Sequence, residues 1–367
     1  MKVSVLSGIC VKNDAISQAV RSSIRKLDSA LGAESRLFTA ACDFPEVDSK
    51  VVHHPHRLAN DPWFLQSELV VAHFGIYYEL FDVLPLVPSN AKIVCIFHNI
   101  TPGHLMGASS SLSDKSFEQL CNMQWADYVI CDSPTNLEVL REAGVNTPAS
   151  VVPIEVPLPQ KVADKPSSRG ERPLLLYVGR LVESKGVLDL VEAAAYVLGD
   201  DARIEFDLVL AGNLAMSDPA VVRAIELVLE TLNHAYGDRF RGRIEGSPSD
   251  QRRDELLEAA DIFVIPSYHE GFGVPVVEAY GFGCRVIGND NSNLPNVISD
   301  LGTLVPTGDV TALAAAINAD LKVVSSAQWA KGGGLQDHIS RARAYASQFT
   351  PGNVIREFER TIRGVIE

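Results

Sequence analysis

Cysteine at metal or redox spacing is missing from these 367 residues. The six cysteines, Cys10, Cys42, Cys95, Cys121, Cys131 and Cys284, form no Cys-x-x-Cys pair. Several lie in apolar strand-like or helix-like contexts and read as buried thiols, which fits a reducing compartment. No run of 18 apolar residues occurs, and the opening MKVSVLSG already reads as a strand rather than a signal segment. The expectation is a cytoplasmic protein without a membrane-spanning helix. Concentrated positive charge is also absent. The formal net charge is −14, split as −6 over residues 1–160 and −8 over the rest. Neither half is basic, which excludes nucleic acid as the main partner, since phosphate neutralisation needs clustered Lys and Arg. There is no internal repeat, no low-complexity tract and no Asp-x-Asp triplet, so a metal-bridged diphosphate is disfavoured. The first turn, Gly8-Ile9-Cys10-Val11-Lys12-Asn13-Asp14, has no Gly-x-Gly-x-x-Gly pattern and does not predict a dinucleotide site.

What is there is one alternation of strands and helices, run twice. The length predicts two domains. Val3–Ser7 reads as a strand, and Ala15, Ile16, Ala19, Val20, Ile24, Leu27 and Leu31 recur at helical spacing after it. Further strands are predicted over Glu68–Ala72, Lys92–Phe97, Tyr128–Ser133 and Val151–Ile154, with a helix over Pro134–Gly144. The first two of these strands run into His73 and His98, at the carboxyl ends where open α/β sheets place ligands. His98, followed by Asn99 and a Thr-Pro turn, is a candidate functional residue. His73 reads equally well as structural. His53-His54-Pro55-His56 reads as a solvent loop rather than a metal site, with a proline inside it and no acid or cysteine beside it.

Residues 155–173 hold Pro157, Pro159, Pro166, Ser167, Ser168, Gly170 and Pro173 and predict the boundary between domains over 1–160 and 171–350. Beyond it, strands are predicted over Leu174–Val178, Arg203–Leu210, Ile262–Ser267 and Cys284–Gly288, with one more closed by Ile244–Ser247. Helices are predicted over Val187–Leu198, 219–235, Gln251–Ala260, 309–319 and 351–366. The fold class is α/β, with two doubly wound domains.

Two loops of the second half carry the chemistry. Gly179-Arg180 with Lys185-Gly186 puts two cations in one strand-to-helix loop, which suits a diphosphate. His269-Glu270-Gly271-Phe272-Gly273-Val274-Pro275 joins the Ile262–Ser267 strand to a helix. Its glycines let backbone N–H groups approach an anion at the helix start, with Pro275 in the first turn. Glu270 lies in that turn and Glu278 a turn or so into the helix. Two acids beside an anion site suit a phosphorylated sugar, whose hydroxyls and developing cation engage the acids.

These residues resemble the retaining glycosyltransferases of family GT4. The resemblance rests on Gly179-Arg180 with Lys185-Gly186, Ala260-Asp261, Pro266-Ser267, Glu270-Gly271-Phe272-Gly273, Glu278-Ala279, Gly283 and Val286-Ile287. The Glu-x7-Glu spacing of Glu270 and Glu278 matches the family signature. In the first half it covers the strand ending in His98, Ala126-Asp127 with Ser133, and Val152-Pro153. The family implies a GT-B fold, two Rossmann-like domains facing across a cleft, with the acceptor mainly on the first domain and the nucleotide sugar mainly on the second. Helix 351–367 is then expected to cross back to the first domain.

The resemblance also implies roles. Glu270 and His98 are the catalytic residues. Arg180, Lys185, Gly271, Phe272, Gly273 and Val274 bind the donor diphosphate, and Glu278 the ribose. Gly8 and Asn13 fall in the first loop, a weak candidate for acceptor or phosphate contacts. The implied function is retaining transfer of a hexose from a UDP- or GDP-linked sugar to a glycan or glycolipid acceptor, with no cofactor and no metal. A nucleotide-sugar-binding regulatory subunit, or an epimerase or phosphorylase on the same fold, are the alternatives. Family members often touch the membrane through a basic amphipathic helix, of which Arg21, Arg25 and Lys26 give a weak version. The sequence departs from the family in its glycine-poor first loop, in Pro153-Ile154-Glu155-Val156, and in Asn296, where an acid is usual.

Overall fold

The computed structural model describes residues 1–12, 14–105, 110–159 and 172–367. It resolves into two compact units: Met1–Glu155 with Pro351–Glu367, and Val156–Thr350. The first is built on a seven-stranded parallel sheet of β1 (Lys2–Leu6), β2 (Glu34–Thr39), β3 (Ser49–Val51), β4 (Leu69–Phe74), β5 (Lys92–Phe97), β6 (Tyr128–Cys131) and β7 (Ala149–Val151). The spatial order is β3-β2-β1-β4-β5-β6-β7. The second holds a six-stranded parallel sheet of β8 (Leu174–Val178), β9 (Phe206–Gly212), β10 (Phe240–Gly246), β11 (Ile262–Ile265), β12 (Arg285–Asn289) and β13 (Thr303–Val305), in the order β10-β9-β8-β11-β12-β13.

In both sheets the winding direction reverses once, between β1 and β4 and between β8 and β11. Such switch points open a crevice at the carboxyl ends of the strands, where ligands bind. Every residue of β4 and of β11 is buried, because helices cover both faces of a parallel sheet and leave no solvated side. Polar groups are therefore pushed to the strand exits.

Local chemistry sets the helix ends. Asp14 caps helix Ala15–Leu31, accepting from the Ser17 N–H at 2.7 Å, and Gly32 ends it in the left-handed conformation. Ser133 caps Pro134–Glu142, with the proline in the first turn. Helix Pro351–Ile366 buries Val354, Phe358 and Ile362 in the first unit's core. Residues 156–159 belong to the second unit. The Val156 N–H donates to the Phe349 carbonyl at 2.7 Å, and Arg343 donates to the Pro159 carbonyl at 3.1 Å. Residues 160–171 of the proline-rich stretch lie outside the described residues.

Some predicted elements shift. Val151–Ile154 pairs only as Ala149–Val151, because Pro153 has no N–H to extend the ladder. Arg203 folds back on Asp201 in a turn, with its N–H 3.0 Å from Oδ1, so that strand starts at Phe206. Strands β2 and β13, and helices Ser110–Leu120 and Gly334–Ala346, were not expected from the sequence. Each is short of apolar residues or mixes them with polar ones. None of the described helices is long and apolar enough to cross a membrane.

Gly32 and Gly186 have nearly the same backbone, with φ of 62° and 63°. A Cβ on Gly32 meets nothing within 4 Å, whereas one on Gly186 falls 1.9 Å from the Pro266 carbonyl oxygen. Gly32→Ala should cost only the backbone strain, about 1 kcal/mol. Gly186→Ala should cost about 3 kcal/mol or more, from strain plus displacement of the β11 exit. Urea unfolding of both variants checks this, and equal midpoint shifts would contradict it.

Candidate active site

The two loops singled out in the second half leave β8 and β11, the adjacent strands at the switch point of their sheet. Gly186 lets the first loop lie directly against the backbone at Pro266. The Tyr268 N–H donates to the Ser184 carbonyl at 2.9 Å and joins the loops again two residues further on. With the backbones so fixed, Lys185 Nζ lies 2.7 Å from Glu270 Oε1. The two side chains are 21% and 14% exposed. At that depth the pair is poorly screened, and removing either partner leaves a charge without its counterpart.

Arg180 is exposed at the start of the same loop, and its guanidinium has no partner among the described residues. Its backbone is held instead, the carbonyl accepting from the Tyr177 hydroxyl at 2.8 Å. Burial pushes the Tyr177 phenol up, the Glu270 charge adds to that, and Arg180 opposes it. Tyr177 is thus a neutral donor that pins the loop.

Glu270 is positioned from the far side by a polar loop after β12. The Glu270 N–H donates to Ser292 Oγ at 2.9 Å, and its carbonyl accepts from the Asn293 N–H at 3.3 Å. Asn293 Nδ2 donates to the Phe272 carbonyl at 2.7 Å. Asn289 Nδ2 donates to Pro266 O at 2.8 Å, and Asn291 Nδ2 to Ser267 O at 2.9 Å. Ser292 takes a φ of 43° to make its contact. The legible signal was asparagine at every second position, 289, 291 and 293, directly after a buried strand.

Helix Val274–Gly281 then begins at Gly273, whose φ is 96°. Backbone N–H groups of Gly271, Phe272, Gly273 and Val274 donate to nothing among the described residues. Unpaired N–H groups at a helix start suit an anion. Phe272 is buried, its ring edge-on to Phe349 at 5.5 Å. Glu278, in the same helix, lies 3.6 Å from Arg253, a neighbour that the sequence reading did not name. Burial lifts the Glu278 carboxyl above its usual range; Arg253 opposes this, and Asp254 and Asp250 add to it.

In the first unit, His98 follows β5. Its Nδ1 lies 2.5 Å from Asp132 Oδ2 and its Nε2 2.7 Å from Nδ1 of His73, near the end of β4. Asn99 takes a φ of 91°, unusual for a residue with a side chain. Gly8 lies two residues past β1, its carbonyl accepting from the Ala40 N–H at 3.0 Å. Asn13 lies outside the described residues. Among the described residues no cluster of three or more His, Cys, Asp or Glu side chains is arranged to hold a metal ion. His54 pairs instead with Glu79, at 2.9 Å.

Over the full length, the chain shares its fold with solved GT-B glycosyltransferases. Sucrose-phosphate synthase from Thermosynechococcus elongatus aligns at a TM-score of 0.70 and 21% identity, covering 99% of this chain and 98% of that one. The lipopolysaccharide outer core galactosyltransferase WaaB aligns at 0.72 and 14% identity, covering 99% of each. Residues 160–323 match the family described as "Glycosyl transferases group 1". Among curated relatives, the O-antigen chain mannosyltransferase B of Escherichia coli is 31% identical over 143 residues, which are 39% of this chain and 35% of that protein. The match thus spans about a third of that relative's length.

A carboxyl lifted by burial holds its proton more tightly in the folded state than in the unfolded one. That favourable term is present below the raised folded value and is lost as pH rises through it. Once ionised, the half-buried Glu278 is therefore a burden on the unliganded protein. Glu278→Gln is expected to leave the melting temperature at pH 7 unchanged or raise it by roughly a few degrees. It should also flatten the decline in stability as pH rises above the ordinary carboxylate range. A clearly lower melting temperature at pH 7 would show that the Arg253 contact outweighs burial.

Proposed function

We propose that this protein is a retaining hexosyltransferase that takes its sugar from a UDP- or GDP-linked donor and passes it to a glycan or glycoconjugate acceptor, without a metal ion. The observation that carries the reading is the Lys185–Glu270 pair at the exits of β8 and β11, facing an anion cradle of unoccupied N–H groups on Gly271–Val274. In this reading Arg180, Lys185 and the cradle hold the donor diphosphate. Glu270 faces the sugar, and Glu278 accepts hydrogen bonds from the ribose hydroxyls. Ser292 and Asn293 keep Glu270 in place. The first unit's catalytic contribution is His98, and the Gly8–Asp14 loop is a weak candidate for acceptor contacts.

The chemistry follows from where charge develops. The bond between the anomeric carbon and the diphosphate oxygen breaks, leaving positive charge on the sugar and negative charge on the diphosphate. Two cations and a helix start stabilise the diphosphate as a metal ion would. The leaving phosphate oxygen takes the acceptor's proton, and the acceptor oxygen bonds to the anomeric carbon from the same face, so configuration is retained. Glu270 orients the sugar and offsets its charge without forming a covalent bond. Lys185 thereby has two partners in turn: Glu270 before the donor binds, and the diphosphate afterwards. The protein acts in the cytoplasm, with the helix bearing Arg21, Arg25 and Lys26 as the candidate for peripheral contact with a membrane.

A panel of UDP- and GDP-hexoses, assayed for acceptor-free hydrolysis and for transfer with EDTA present, tests this reading. At least one donor should turn over, with chelator changing the rate by less than about twofold and the product keeping the donor's anomeric configuration. Lys185→Ala and Glu270→Ala should each lower turnover by about 100-fold or more while the far-UV circular dichroism is unchanged. Wild-type-like turnover in either folded variant, or loss of activity on chelation, would overturn the assignment.

A further inference from the structure

The first unit holds a line of four hydrogen-bonded side chains, Ser23, His73, His98 and Asp132. Ser23 Oγ donates to the Val20 carbonyl at 2.9 Å. The same oxygen lies 2.7 Å from His73 Nε2. A hydroxyl has one proton; with that proton on the Val20 carbonyl, His73 donates its Nε2–H to Ser23. His73 is 1% exposed. Burial first, then the neighbouring His98 and Lys26, hold its imidazole well below the ordinary 6.5. The ring is neutral, and with Nε2 protonated its Nδ1 is bare.

That bare nitrogen lies 2.7 Å from His98 Nε2. The two rings are 14° from parallel with centroids 5.0 Å apart. A 2.7 Å contact within that separation leaves room for little more than the two ring radii. The rings therefore meet edge to edge and nearly in one plane, the geometry of an in-plane N–H···N bond and not of face stacking. With Nδ1 of His73 bare, the proton in this bond belongs to His98 Nε2. On its other side, His98 Nδ1 lies 2.5 Å from Asp132 Oδ2, and a carboxylate only accepts. Both ring nitrogens of His98 then carry protons. Asp132 is 4% exposed, and a buried carboxylate needs a countercharge, which this imidazolium supplies.

The other charges on the line are matched among themselves. Lys26, on helix Ala15–Leu31, is the cation whose charge reaches His73, and its ammonium pairs with Glu155 at 3.0 Å. Arg25 lies 3.5 Å from the same carboxylate. Asp132, at the end of β6, is the acid against His98.

We propose that His73 and Asp132 are positioning residues that hold His98 as an imidazolium, with Ser23 setting the direction of the hydrogen-bond chain. The functional consequence rests on the reading of His98 as the first unit's catalytic group. His98 then has no bare nitrogen, its two N–H groups being held by His73 and Asp132, and it does not take the acceptor's proton.

The test is the nitrogen NMR spectrum of the full chain labelled with ¹⁵N-histidine, at pH 7.5 and without nucleotide or sugar. Its outcome is independent of whether the protein transfers a sugar. His98 should give two signals in the protonated range, and His73 one protonated and one bare. His73→Gln should keep the His98 pattern, because the amide accepts from His98 through its oxygen and donates to Ser23 through its nitrogen. His73→Leu and Asp132→Asn should shift one His98 signal to the bare range. A bare nitrogen on His98 in the wild type overturns the proposal, and so does an unchanged pattern in folded His73→Leu. If the Leu and Asn variants do not fold, the wild-type and Gln spectra decide alone: loss of the His98 pattern in Gln counts against the proposal.

Discussion

A side chain on residue 186 would occupy the space of the Pro266 carbonyl, and most of the second unit's site follows from that exclusion. The loop after β8 lies on the backbone at the end of β11 with no side chain between them. Contact at that distance fixes where Lys185 stands relative to Glu270, and the bond from Tyr268 to Ser184 fixes it a second time. Gly212 does the same on the other flank, where a Cβ would fall 1.9 Å from the Gly179 carbonyl oxygen. Three neighbouring strand exits are thus drawn together by backbone contact alone. Charged side chains held by backbone so close-packed are placed before a ligand arrives, which is the condition for electrostatic stabilisation without reorganisation.

The central strands β4 and β11 are buried along their whole length, which leaves little room there for polar chemistry. It collects at the carboxyl ends and is organised there by side chains that hold backbone. Asn289, Asn291, Ser292 and Asn293 are spent on carbonyls and on the Glu270 N–H. What they leave unoccupied are the N–H groups of Gly271 to Val274. Glu278 stands in a buried environment that disfavours its charge, with Arg253 as partial compensation. A group kept in a costly environment by its surroundings is a common sign of a site arranged for a ligand rather than for stability.

Much of this could be read from the residues, for definite reasons. β4, β5, β8 and β11 were visible because strands buried on both faces are written as apolar runs. The pairing of the β8 and β11 exits could be inferred from alternation, since loops after parallel strands open on one edge. The GT-B fold and the match to the group 1 family were legible in Glu270 to Ala279 and in Arg180 with Lys185. β2 was not legible, because Glu34-Ser35-Arg36 opens it with polar residues. The clamp by Ser292 and Asn293 and the approach of Arg253 to Glu278 are tertiary contacts between distant segments, which no local pattern encodes. The Ser23–His73–His98–Asp132 line was half visible. Two histidines at strand ends were seen, but the serine and the aspartate that fix their protons come from a helix face and a third strand.

The central claim is that Lys185 and Glu270 divide the donor between them, cation to diphosphate and acid to sugar. Calorimetric titration of the wild type, Lys185→Met and Glu270→Gln with UDP, GDP and the corresponding nucleotide hexoses measures that division. The account predicts that Lys185→Met weakens binding of the preferred nucleoside diphosphate about tenfold or more, roughly 1.4 kcal/mol. Glu270→Gln should leave the diphosphate's affinity within about threefold and weaken the nucleotide sugar selectively. Diphosphate affinity unchanged in Lys185→Met, or equal losses for diphosphate and nucleotide sugar in Glu270→Gln, would contradict it.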